Sequence, residues 1–257
     1  MTEPRSMTEA PTVPRLRMFA GPNGSGKSRI KSVLRPELLG VYINPDDIER
    51  DIRQSGAFRF SDFGVEASNG EIETFFALSS LICRAGLADT AAQLRLRNGD
   101  LLFDGVEVNS YFAAVLADFL RQKLVAARRS FTFETVMSSS DKIDLLRNAQ
   151  NAGFRTYLYY VATQDPLINI ARVANRVQLG GHDVPRNKII SRYFRSLDLL
   201  FNAIAVSNRA FLFDNSGESP VLLAQVRDGS RTKIETKDEL PRWFQTAVLD
   251  KMQLNTP

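Results

Sequence analysis

The stretch Leu16-Arg17-Met18-Phe19-Ala20-Gly21-Pro22-Asn23-Gly24-Ser25-Gly26-Lys27-Ser28 decides how the rest of the chain is read. A short apolar strand runs into a glycine-rich turn that closes on Gly-Lys-Ser, with the spacing Gly21-x4-Gly26-Lys27-Ser28 of a phosphate-binding loop. Converging backbone N–H groups hold phosphate oxygens in such a loop, so side chains stay small and glycines take the positive φ angles. A helix opening at Lys27 adds the partial positive charge of its N-terminus. Lys27 then reaches the β- and γ-phosphates, and the Ser28 hydroxyl takes Mg²⁺. The pattern Lys27, Arg29, Ile30, Val33, Leu34 carries the helix onward. The stretch predicts ATP with Mg²⁺ as ligand, held by Gly21, Pro22, Asn23, Gly24, Ser25, Gly26, Lys27 and Ser28.

Composition frames what surrounds this loop. With 257 residues, 44% of them hydrophobic, the chain is long enough for one large α/β domain over 15–257. Residues 1–14, with three prolines, read as a disordered tail. The net charge of +4 suits anionic ligands, but no lysine/arginine block marks a nucleic-acid arm, so nucleic acid is not expected as a partner. The single cysteine, Cys83, excludes an intramolecular disulfide and fits a reducing cytoplasm. Its place in the apolar run 77–87 reads as a small core position. No apolar stretch is long enough to span a membrane, and the polar start is unlike a signal sequence. A cytoplasmic protein without a membrane partner is expected.

Along the chain, 41–43 reads as a short buried strand ending in Asn44-Pro45-Asp46-Asp47. The segment 48–128 reads as a largely helical insertion, with helical spacing over 66–87 and a cleaner helix over 106–127. In the latter, Tyr111, Val115, Phe119 and Leu120 read as a core stripe and Asn109 as a helix-entry residue, with Asn109 and Tyr111 facing the acceptor as the alternative. A short strand is bracketed at 101–103 by turns at Asn98-Gly99 and Asp104-Gly105. Strands at 131–133, 156–162 and 211–213 alternate with helices at 141–151, 165–178 and 186–206. A serine cap opens the helix at 141, and Gly180-Gly181-His182 breaks the chain after 178, with His182 a turn residue. A hairpin over 221–235 and a closing helix over 240–252 complete the pattern. Strands alternating with helices after a phosphate loop predict an α/β three-layer sandwich of the P-loop NTPase kind. Its sheet is mainly parallel, with helices on both faces.

Phosphoryl transfer needs a carboxylate to orient a hydroxyl and cations over the γ-phosphate. Asp46 and Asp47 lie at a strand's carboxyl end, where open α/β sheets place ligands, though the same residues suit a turn and helix cap. Glu134 and Thr135 follow an apolar strand in the same way. They suit contacts to acceptor hydroxyls or to Mg²⁺ through water, or a plain strand-end cap. Arg172 and Arg176 are one helical turn apart, and Arg192 and Arg195 sit three apart on the next helix. They read as a lid over 165–206 whose guanidinium forks meet phosphates, or as solvated helix faces. Asp214-Asn215-Ser216 reads as a strand exit or as the adenine end of the site.

Four segments stand in order: the loop 21–28, Asn44-Pro45-Asp46-Asp47, Phe133-Glu134-Thr135-Val136, and Gly180-Gly181-His182-Asp183-Val184-Pro185 followed by Arg192-Tyr193-x-Arg195-Ser196. Together they resemble the zeta-toxin family of P-loop kinases, in its broad zeta-like branch, over most of residues 15–215. The resemblance implies a kinase that transfers the ATP γ-phosphate to a hydroxyl of a small molecule. In the best-known members that acceptor is the nucleotide sugar UDP-N-acetylglucosamine, and a separate small antitoxin protein restrains them. It places the catalytic aspartate at Asp46, with Asp47 the neighbouring alternative; beside it the residues themselves suggest Lys27, Arg176 and Arg192 as catalytic cations, Glu134 and Thr135 at the acceptor, and Arg172 and Arg195 at the nucleotide. Two departures stand out: 48–128 is long, and Phe133-Glu134-Thr135-Val136 replaces the Glu-Gly-Thr of the founding toxins. The second bears on the nucleotide-sugar acceptor and not on phosphoryl transfer. The alternative class is a nucleotide-dependent switch, whose γ-phosphate sensor and partner-facing surface are not recognisable in the sequence.

Overall fold

A computed structural model describes residues 13–32, 34–181, 183–237 and 239–254. Residues 1–12 of the expected tail, Val33 and His182 lie outside the described residues.

The chain runs β1 (Arg15–Ala20), the phosphate loop, α1 (Lys27–Lys31), β2 (Val41–Ile43) and α2 (Pro45–Ser55). The insertion follows as β3 (Ala57–Arg59), α3 (Asn69–Ala77), α4 (Ser80–Arg84), α5 (Ala88–Ala91), β4 (Arg95–Arg97), β5 (Asp100–Leu102) and α6 (Ser110–Ala126). Then come β6 (Phe131–Thr135), α7 (Asp141–Asn151), β7 (Arg155–Ala162), α8 (Pro166–Gln178), α9 (Arg186–Ala205) and β8 (Arg209–Asp214). The hairpin β9 (Val221–Arg227) and β10 (Arg231–Ile234) leads to α10 (Arg242–Phe244), a π turn Gln245–Leu249 and α11 (Asp250–Leu254).

Seven strands form one sheet in the order β10-β9-β8-β7-β1-β6-β2. β2, β6, β1, β7 and β8 are parallel, and the β9–β10 hairpin adds an antiparallel edge. The phosphate-loop strand is central, with Ala20 in register with Thr135 on one side and Tyr160 on the other. All five parallel strands therefore end on one edge of the sheet, and a ligand site belongs there.

The two faces of this sheet are covered unequally. On one face Leu16, Met18, Phe131, Phe133, Leu158 and Tyr160 are wholly buried in the main core, together with residues of α6, α7, α9 and the C-terminal helices. Each such side chain contributes about 1.5–3 kcal/mol by leaving water. On the other face a small cluster of Phe19, Ile30, Tyr159 and Val161 is joined by Leu34 and Leu39, so α1 and the turn after it form the cover. The expected α/β sandwich is present, with its helical mass mainly on one side.

Helix ends follow local chemistry. Asn44 caps α2 by accepting from the Asp46 N–H, with Pro45 at the first helical position, and Gly56 ends it at φ 73°. Ser68 and Glu71 form a capping box on α3, and Asp165 caps α8 ahead of Pro166. Four expectations need correction. The insertion is not only helical: β3, β5 and β4 form a separate antiparallel sheet, of which only the β5 region was expected. Strands of three residues, one of them Arg95-Leu96-Arg97, carry too little alternation to read. Cys83 is exposed, because α4 is a single short turn that buries Ile82 instead. Ser140 makes no side-chain cap for α7; the neighbouring Ser139 hydroxyl donates to Asp141. The closing helix starts after Pro241 and passes through a π turn before α11. No helix among the described residues is long and apolar enough to cross a membrane.

Candidate functional site

A cleft of about 2130 Å³ opens over the carboxyl edge of the sheet, and the phosphate loop forms its floor. The loop is held from behind by two asparagines. Asn169 on α8 donates from Nδ2 to the Asn23 carbonyl at 2.6 Å, and Asn215, just past β8, donates to the Ser25 carbonyl at 2.7 Å. The approach is close enough to require glycine. A Cβ on Gly26 (φ 95°) would stand 2.1 Å from Asn215 Nδ2, and one on Gly24 (φ 73°) would stand 2.6 Å from the Asn169 carbonyl oxygen. Only glycine combines positive φ with that packing. Asn215 thus resolves the open reading of 214–216: it is a loop fastener, while Asp214 accepts from Ser216 and from the Trp243 indole.

Lys27 reaches back over the loop, its Nζ donating to the Gly21 carbonyl at 2.8 Å and to the Pro22 carbonyl at 3.1 Å. Burial pushes its pKa down, the charges of Glu134 and Asp46 push it back up, and Arg176 adds to the lowering. Two carboxylates and an arginine from three other elements thus lie within electrostatic reach of the lysine. Ser28 is exposed beside it in the first turn of α1.

The two aspartates after β2 are in different situations. Asp47 accepts from Arg50 Nη1 at 2.7 Å and from Asn44 Nδ2 at 3.1 Å. Asp46 offers only its backbone N–H to the Asn44 cap, and among the described residues its carboxylate has no hydrogen-bond partner. Its charge acts on both Lys27 and Arg192. Glu134, 8% exposed, accepts a short hydrogen bond from the Tyr42 hydroxyl. Burial and the Glu134 charge hold that phenol protonated by raising its pKa. Thr135 accepts from the Met137 N–H at 3.0 Å, which shapes the turn beyond β6, and both residues line the cleft.

The four arginines divide. Arg176 and Arg192 line the cleft from α8 and α9, and burial lowers the Arg192 pKa while Tyr111 and Asp46 oppose that. Arg172 also borders the cleft, but its guanidinium donates to the Asn215 carbonyl at 2.7 Å and the Gly217 carbonyl at 3.3 Å. It braces the same turn that fastens the phosphate loop. Arg195 is not brought into the cleft; it is exposed, and its Nε donates to Ser191 on its own helix at 3.3 Å. A small cluster of Val173, Val184 and Ile189 packs α8 against the start of α9 and sets the two inner arginines.

Of the two readings of Tyr111, the cleft one holds: it is 38% exposed and lines the opening at the start of α6, which Asn109 caps. Two further cleft residues have no signal in the sequence. Arg121 is 2% exposed, with its guanidinium 5.1 Å from the Phe133 ring centroid and Nη2 3.0 Å from Asp118. Lys142, paired with Asp141, stands nearby, and its pKa is lowered by burial and by Arg121. Arg121 is hidden in an apolar helix, and Lys142 looks like an ordinary first-turn residue. No spacing signal connects them.

Residues 104–219 match the profile of the family described as Zeta toxin. No curated protein matches the chain. Among solved structures, the chain is similar to AvrRxo1-ORF1:-ORF2 with ATP, at 16% identity and a TM-score of 0.52, over 87% of this chain and 61% of that chain. The same complex with sulphate ions aligns at 15% identity and a TM-score of 0.50 over the same shares. The PezAT toxin-antitoxin system of Streptococcus pneumoniae aligns at 14% identity and a TM-score of 0.49, over 97% of this chain and 87% of that one. The chain spans about 61% of the length of the AvrRxo1 chains, and that likeness shows a shared fold. The profile match covers β6 to β8 and the strand-end motifs among them, and the phosphate loop stands ahead of it in the chain.

Proposed function

We propose that the protein is a zeta-toxin-like kinase that transfers the γ-phosphate of ATP to a hydroxyl of a small molecule. One observation carries this reading: Asp46, whose carboxylate has no hydrogen-bond partner among the described residues, lines the same cleft as Lys27 and Arg192, while Asp47 is tied to Arg50 and Asn44. A carboxylate between the phosphate lysine and a second cation is placed to take a hydroxyl proton as that oxygen attacks. The complex with ATP of the AvrRxo1 neighbour supports the nucleotide.

In this reading the N–H groups of the loop hold the β-phosphate, Lys27 leaves its loop carbonyls for the phosphates, and Arg176 and Arg192 neutralise the transferring group. Glu134, oriented by Tyr42, holds the acceptor together with Thr135. Mg²⁺ fits the donors present: Ser28 offers an exposed hydroxyl beside Lys27, and Glu134 a carboxylate reachable through water. When bound, the ion supplies charge neutralisation between the phosphates. Arg172 acts here by bracing the loop, and Arg195 contributes charge from outside.

The cleft exceeds the roughly 300–1,000 Å³ of a single-ligand pocket, which suits a nucleotide and an acceptor side by side. A nucleotide sugar such as UDP-N-acetylglucosamine is the first acceptor class to test, and a separate antitoxin protein the first partner. The pure protein is incubated with ATP, Mg²⁺ and pooled UDP-sugars and nucleotides, and products are read by mass spectrometry. A product heavier by one phosphoryl group, absent with Asp46→Asn, is expected. ATP turnover to ADP with no phosphorylated acceptor in the pool or in a cell metabolite extract would overturn the reading in favour of a nucleotide switch.

A further inference from the structure

We infer that the open face of the sheet, away from the cleft, is a binding surface for single-stranded nucleic acid. Side chains in register on neighbouring strands share a face. Arg17, Tyr157, Arg209, Arg227 and Arg231 form one such row across β1, β7, β8, β9 and β10. Arg15 and Arg155 stand opposite each other in the row beside it. The next row inward is Phe19, Tyr159 and Phe211, with Gln225 and Lys233 beyond. The five strands thus carry six arginines and Lys233 on one face, five of the arginines half-buried or exposed and Arg17 buried at 5% exposure, and no acidic residue of theirs stands on it. Glu235, just past β10, is held by Gln225 and Lys233.

Burial agrees with a face that is open over β8, β9 and β10 and closed at Arg17, Phe19 and Tyr159. In β8 and β9 the residues pointing to the main core (Ala210, Leu212, Ala224, Val226) are buried. Their opposite neighbours Arg209, Phe211, Gln225 and Arg227 are half-buried or exposed. The cover formed by α1, Leu34 and Leu39 packs on the Phe19–Tyr159–Val161 part.

Two features point to the occupant. Like charges directly opposite on paired strands are destabilising, yet Arg15 faces Arg155, and Arg227 lies between Arg209 and Arg231. A polyanion relieves that repulsion. The cations are also interleaved with rings: Arg17 lies 5.3 Å and Arg155 5.9 Å from the Tyr157 centroid, and Arg209 4.8 Å from that of Phe211. Guanidinium groups over half-buried rings on a flat sheet offer stacking partners for unpaired bases as well as contacts for phosphates. An acidic peptide would use the charges alone, and a duplex keeps its bases stacked inside. No basic block exists in the sequence because the sheet collects these cations from strands up to 216 residues apart, Arg15 to Arg231.

The test uses the full chain and fluorescein-labelled 20-mer single strands of DNA and RNA, read by anisotropy against salt. Binding in the micromolar range is expected, on the order of non-specific nucleic-acid affinities. The double variant Arg227→Glu/Arg231→Glu should weaken it at least tenfold and reduce the salt slope by about 1.4, at roughly 0.7 per lost phosphate contact. Tyr157→Leu should weaken binding with little change in slope. ATP affinity should stay unchanged in the hairpin double variant, which also reports that the fold is intact. No binding at low salt, or binding indifferent to the hairpin charges, overturns the inference. So does equal affinity for the annealed duplex. Displacement by polyglutamate as effective as by unlabelled single strands, with Tyr157→Leu silent, reassigns the face to an acidic protein partner.

Discussion

The cleft edge and the open face of one sheet are charged by opposite rules. At the cleft, cations and carboxylates alternate: Lys27 is set between Asp46, Glu134 and Arg176, and Arg192 near Asp46. On the open face, arginines stand beside arginines with aromatic rings between them. The first arrangement holds each charge in place before a ligand arrives, as catalysis by a preorganised field requires. The second leaves repulsion that only a ligand relieves. Backbone packing differs likewise, with the phosphate loop pinned by Asn169 and Asn215 while β10 is exposed along its length.

The largest expected effect tests the cleft at its centre. Lys27→Ala should abolish phosphoryl transfer in a direct product assay while leaving single-strand binding on the open face intact. Loss of both activities together would break the separation of the two regions. Gly26→Ala comes next: its Cβ meets Asn215 Nδ2 at 2.1 Å and its φ of 95° is strained for alanine. ATP affinity should fall by at least tenfold, with a destabilisation of about 1–3 kcal/mol in denaturant melts. A neutral result would show the loop to be looser than its hydrogen bonds imply.

Asp46→Asn should keep ATP binding and lower transfer by roughly 10²–10⁴. Asp47→Asn should cost far less turnover, because its carboxylate serves Arg50 and Asn44. Side-by-side turnover rates decide this, and a costlier Asp47 would move the base by one residue. Arg192→Ala should lower turnover by roughly tenfold or more with little change in ATP affinity, and lysine should rescue only partly. Arg195→Ala should stay within about twofold, as a solvated residue bonded to its own helix would. Equal effects of the two would show that α9 moves as ATP binds.

The smallest effect is a proton count. Burial lowers the Lys27 pKa, so between its lowered value and the ordinary lysine range the unfolded chain binds more protons than the fold. Stability of the free protein should therefore rise with pH through that window. Phosphates restore the charge, so ATP binding there should take up protons, seen as a dependence of binding enthalpy on buffer ionisation. A buffer-independent enthalpy would show that Lys27 keeps its proton in the free protein.

Much of the cleft was legible because its residues end strands. The loop 21–28, Asp46, and Glu134 each follow a short apolar run, and the parallel sheet brings such ends to one edge. The helix 166–178, capped by Asp165, was readable for the same local reason. Arg121 and Lys142 were not, since a buried cation inside an apolar helix has no pattern of its own. Tyr111 was legible only as one of two readings, because its apolar spacing resembles that of its buried neighbours Val115 and Phe119.

By itself the sequence determined the phosphate loop, the alternation of strands and helices in the main sheet, and the carboxylates at strand ends, because each depends on residues adjacent in the chain. Tertiary structure alone decided that, among the described residues, the Asp46 carboxylate has no hydrogen-bond partner while Asp47 is bound, and that Arg192 lines the cleft while Arg195 does not. It alone assembled the arginine face from five strands. The physical reason is range: caps, turns and glycine angles are set within a few residues, whereas which charges meet depends on strand register and helix packing across the whole sheet.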